Sequence, residues 1–143
     1  MKISAKAEYA CVAMLELAAN YKEPQPVRVK AIAEAHGIPQ RFLVQILLQL
    51  KSAGLVVSLR GASGGYQLAR SPETISLAHI INAIDREPAV RPTLLPLHES
   101  RAVQTIQNVW KDIQAKEQRM LEEVTLAELV RRTQQTGALS YQI

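Results

Sequence analysis

Between Ser4 and Asn20 the apolar residues fall at Ala7, Ala10 and Cys11, Met14 and Leu15, and Ala18. These steps of three and four predict a one-sided helix with Ser4 as its N-cap. YKEPQPV breaks that helix with two prolines. VRVKAIAEAHGIPQRFLVQILLQLKSAGL then predicts a short helix to His36, a turn at Gly37, and a second helix from Pro39 to Ala53. Pro39 suits a first helical position, where its missing N–H would be unpaired anyway, and Gly54 suits the left-handed residue that ends a helix.

The period changes at residue 55. Leu55, Val57 and Leu59 alternate on one face, Tyr66 and Leu68 alternate on the return, and Gly61, Gly64 and Gly65 lie between them. A period of two around a glycine-rich tip predicts a β-hairpin. Ser76 then caps a helix through Leu77, Ile80, Ile81 and Ile84, and DREPAVRPTLLPLHES has no clear period. A long helix is predicted from about Ser100 to Val124. Its stripe is Val103, Ile106, Trp110, Ile113, Met120 and Val124, broken at Glu117. Thr125 and Glu128 have the spacing of a capping box for a last helix, TLAELVRRT.

The fold class is therefore mostly α with a small β-hairpin wing. A winged helix-turn-helix domain spans 1–87, a linker or sensor loop 88–99, and a dimerisation helix with a C-terminal helix 100–143. The stripe of the long helix is read as a dimer seam because the domain before it looks complete.

Charge sharpens this reading. Residues 1–75 carry nine Lys/Arg against five Asp/Glu, a net of +4, while residues 76–143 carry eight of each. Within 26–72, Arg28, Lys30, Arg41, Lys51, Arg60 and Arg70 face Glu34 alone. A basic half joined to a neutral half suggests a polyanion-facing module and a second part with another task. No stretch approaches the roughly 20 apolar residues of a membrane helix. A single cysteine excludes an internal disulfide and suits a reducing cytoplasm.

Catalytic chemistry fits poorly. GASGG matches G-x-S-x-G with Ser63 as nucleophile, but that elbow needs a helix after it and a large α/β sheet around it. A phosphate loop would also need a helix directly after its glycines. What remains is a wing that carries Arg60 to the narrow, electronegative minor groove of DNA. His36, His79 and His98 show no metal-ligand spacing. His36 is expected at a cap or the surface, and His79 partly packed. Cys11 and Glu8 share a helical face, and a lone cysteine among Ala, Val and Met is expected to be buried.

KISAKAEYACVAMLELA, IPQRFLVQILLQLKSAGLV and above all VSLRGASGGYQLAR resemble the bacterial transcription regulators of the IscR, NsrR and CymR kind. The resemblance implies a dimeric winged helix-turn-helix regulator, a repressor of iron–sulfur, redox or sulfur metabolism, on a palindromic site of double-stranded DNA. Gln40, Arg41 and Gln45 would face the major groove or its phosphates. Ser58, Arg60, Gly61 and Ser63 would form the wing, with Arg28, Lys30 and Lys51 contributing nearby. Val103, Ile106, Trp110, Ile113 and Met120 would form the dimer contact with a second copy.

Two departures stand out. Many relatives carry an acidic residue where this chain has Val44. Cluster-binding members also have three cysteines in the region that here reads REPAVRPTLLPLHESRA, which contains none. The usual iron–sulfur site is thus missing, and a cluster would have to use non-standard ligands, namely Cys11, Glu8 or His98. The cluster-free members respond to a partner protein or a small ligand. The rival reading is a protein-interaction module that uses the long helix and has lost DNA binding; salt dependence separates the two.

Overall fold

The computed structural model describes residues 3–62, 64–85 and 100–141, the last five of them by backbone alone. The elements are α1 (Ala5–Ala19), α2 (Val29–His36), α3 (Gln40–Ser52), β1 (Val56–Leu59), β2 (Gly65–Leu68), a 3-10 turn (Pro72–Thr74), α4 (Leu77–Ile84), α5 (Arg101–Glu123) and α6 (Leu126–Tyr141). Among the described residues no helix is long and apolar enough to cross a membrane.

Helix α1 is the central post. The Ser4 hydroxyl accepts the Ala7 N–H at 3.0 Å and donates to the Asp85 carboxylate at 2.7 Å, so one side chain caps α1 and ties it to the end of α4. Four alanines, Ala7, Ala10, Ala13 and Ala18, are buried along it. Their small size lets α3, α4 and α6 pack closely against one helix.

In the helix-turn-helix, Gly54 is left-handed at φ 77° as expected, and the turn at Gly37 is left-handed too, at φ 64°. Pro39 differs from expectation. It is the N-cap of α3 and not its first helical residue: its ψ of 124° is extended, and its carbonyl accepts the Leu43 N–H at 2.9 Å. A proline loses nothing there, because an N-cap N–H makes no intrahelical bond. Leu43, Ile46, Leu47 and Leu50 bury the inner face of α3.

The hairpin forms with its phase shifted from expectation. Val56 pairs with Leu68 and Ser58 with Tyr66 on the inner side, whereas Val57 and Leu59 point outward, 41% and 47% exposed. Alternation fixes the period but not which face is wet, and this strand carries apolar residues on both. Val27 adds a partner the sequence did not suggest. Its N–H and C=O exchange hydrogen bonds with Tyr66 at 2.9 and 2.8 Å, which fastens the proline-rich loop to β2.

Ser76 caps α4 as predicted, but His79 completes the box: its Nδ1 accepts the Ser76 N–H at 3.0 Å. His79 is exposed and not partly packed, because capping turns its ring outward. At α6 half of the expected box forms. Thr125 Oγ1 accepts the Glu128 N–H at 3.2 Å, while the Glu128 carboxylate turns to Arg131 and Arg132. Those two arginines hold its carboxyl below the usual range.

The start of α6 returns to the first domain. Leu77 N–H bonds Val124 C=O and Leu126 N–H bonds Ile75 C=O, each at 2.9 Å, and the Leu126 side chain is fully buried in the shared core. Helix α5, capped by Ser100, buries no residue along its 23.

Candidate nucleic-acid interface

The recognition face is built on α3. With Leu43, Ile46, Leu47 and Leu50 inward, helical geometry turns Gln40, Arg41, Val44, Gln45, Leu48 and Lys51 outward, and all six are exposed. The edge-to-face contact of Phe42 with Tyr9, 5.7 Å between rings, anchors the first turn of α3 against α1. His36 is at the surface, as expected, with Nε2 3.6 Å from Glu16 Oε2 across the α1–α2 gap.

Backbone crowding shapes the wing. A side chain at position 65 would place its Cβ 2.3 Å from the Val27 carbonyl oxygen, and one at position 64 would meet the Leu59 oxygen at 2.4 Å. Only glycines let β2 approach the Val27 backbone and the tip fold over its own start. Gly61 turns the tip at φ 110°. Arg60 lies beside it, exposed and without an ion-pair partner among the described residues.

The predicted residues fall into two groups. Gln40, Arg41, Gln45 and Arg60 are exposed and face solvent from α3 and the wing. Arg28 and Lys51 instead brace the wing: Arg28 Nη2 donates to the Ala62 carbonyl, and Lys51 Nζ donates to Ser58 Oγ at 2.8 Å. The sequence marked both as basic but gave no sign of these contacts. Lys30 sits on α2 with Glu34 3.9 Å away, both well exposed, a contact of little energetic weight. Ser63 and His98 lie outside the described residues.

The Cys11 thiol is half-buried and its pKa is pushed up to about 11, first by burial, then by the Glu8 and Asp85 carboxylates. It is the one thiol of the chain, whereas iron–sulfur clusters are held by several thiolates. Asp85 is held by Ser4, and among the described residues no group of three or more His, Cys, Asp or Glu could hold a metal ion. Among the described residues the donor set does not fit an iron–sulfur cluster.

A helix-turn-helix with a basic outer helix and an arginine-tipped hairpin is a winged helix DNA reader. The comparisons agree. Residues 3–132 match the model of the Rrf2 family, described as iron-dependent transcriptional regulator. An HTH-type transcriptional regulator of Mycobacterium tuberculosis is 42% identical over 131 residues, 90% of this chain and 81% of that one. The solved structure of CymR, the global cysteine regulator of B. subtilis, matches with a TM-score of 0.81 at 32% identity, covering 92% of this chain and 98% of its own. That of T. potens IscR matches at 0.75 and 33% identity, covering 93% and 88%.

The chain belongs to the Rrf2 family. It is a DNA-binding transcriptional regulator and not an enzyme.

Proposed function

We propose that this regulator acts as a cytoplasmic homodimer and represses transcription from a palindromic site, with α3 in the major groove and the wing in the minor groove. The observation that carries this reading is the pairing of two exposed surfaces. One is the outer face of α3 with Arg41, continued by the wing with Arg60. The other is the apolar stripe of α5. Phosphates attract the first at long range, while Gln40, Gln45 and the wing supply sequence choice. Arg28 and Lys51 act by holding the wing in place. Residues 1–87, with Leu126 closing their core, form the reading domain, and α5 within 100–143 forms the dimer seam.

The seam is Val103, Ile106, Trp110, Ile113 and Met120; Trp110 is 53% exposed and Met120 67%. A 23-residue helix with no buried side chain and an apolar stripe at heptad spacing matches a second copy of itself. Two-fold pairing would set half-sites one or more helical turns apart, about 34–36 Å per turn. Trp110→Glu is expected to convert the dimer to monomer in sedimentation; an unchanged dimer would remove the seam.

Arg60→Ala is expected to cost roughly 1–3 kcal/mol on a duplex selected from a random pool. Unchanged affinity at fixed salt would remove the wing from the interface. With no fitting metal donor set among the described residues, we propose a partner protein or small ligand as the regulatory signal.

A further inference from the structure

We propose that Val44 and Leu48 read thymine: their side chains contact the 5-methyl groups of two thymines per half-site in the major groove. This rests on the reading that α3 lies in that groove. Arg41, Val44, Leu48 and Lys51 step by three, four and three, so they form one stripe along the outer face of α3. A cation stands at each end and two apolar side chains occupy the middle, 38% and 51% exposed. The core does not need them. Leu43 and Leu47, each one residue earlier, already fill the inner face.

The stripe's dimensions suit the groove. Ten residues of helix separate Arg41 from Lys51, about 15 Å at 1.5 Å per residue, against a groove about 12 Å wide. Its Arg41 end can therefore reach a phosphate, with Lys51 at the other end tied to Ser58 of the wing, while its centre meets base edges. The thymine methyl is the apolar feature of the major-groove edge, and aliphatic side chains recognise it by contact. Val44 and Leu48 lie about 6 Å apart along the axis, close to two base steps of 3.4 Å. Neither side chain can accept the cytosine N4 amine, so cytosine gains nothing at those positions.

The test uses the full chain and the duplex it enriches from a random-sequence pool. The same duplex is then made with deoxyuridine for thymidine in both half-sites, which removes the methyl groups and leaves the pairing intact. Each lost contact should lower affinity about fourfold. The exposed-site variants Val44→Ala and Leu48→Ala should bind thymidine and deoxyuridine duplexes more nearly alike than the parent does. Equal affinity of the parent for the two duplexes, with salt-dependent binding retained, would overturn the thymine reading and leave the DNA reading standing. A variant that keeps the parent's full thymidine preference would overturn it for that residue. Failure of any duplex to be enriched would overturn both.

Discussion

Leu126→Ala is expected to destabilise the whole winged helix by about 2–5 kcal/mol, the range for removing a fully buried leucine. Leu126 lies far along the chain from α1 yet is fully buried in the same cluster as Ala7, Met14, Ile75 and Ile80. Its backbone is paired with Ile75, so it has little freedom to collapse into the space left behind. The measurement is denaturant unfolding followed by far-ultraviolet circular dichroism. A single shifted transition would mean that α6 and the winged helix unfold as one unit. An unshifted midpoint would mean that Leu126 contributes nothing to that core.

Gly65→Ala is expected to cost about 1–3 kcal/mol, or more, and to weaken DNA binding beyond what the lost stability explains. The added methyl would meet the Val27 carbonyl oxygen at 2.3 Å, its carbon at 2.6 Å and the Arg28 N at 3.0 Å. All three are backbone atoms, and Val27 is already fastened to Tyr66 by two hydrogen bonds. Relief must therefore come from moving β2, and Arg60 and Arg28 would move with the wing. Thermal unfolding and duplex affinity, measured in parallel, check both parts. An alanine variant with unchanged melting temperature and affinity would refute the close approach.

Much of this was legible because local rules act locally. Ser4, Gly37, Gly54 and Ser76 marked helix ends by the conformations and hydrogen bonds they provide, and those ends stand where the sequence put them. The wing was legible as a glycine-rich tip between alternating strands. The inner face of β1 was not, since Val56 and Val57 are the same residue and only packing against the helical core decides which is covered. Leu126 was equally hidden. Its place in the core depends on a return of the chain after α5, which no local pattern announces. For the interface, the type of residue was readable and its surroundings were not: Arg28 and Arg60 look alike in sequence, and only contacts separate the braced side chain from the exposed one.

Binding of double-stranded DNA through the basic face must respond to salt, because each neutralised phosphate releases counterions. The measurement is the affinity of the selected duplex by fluorescence anisotropy from about 50 to 200 mM salt, the range over which phosphate contacts release counterions. Log affinity is expected to fall in a straight line with log salt, about a thousandfold if some six phosphates are neutralised. An affinity that stays flat across that range would contradict it and leave α5 as the working surface of a protein-interaction module.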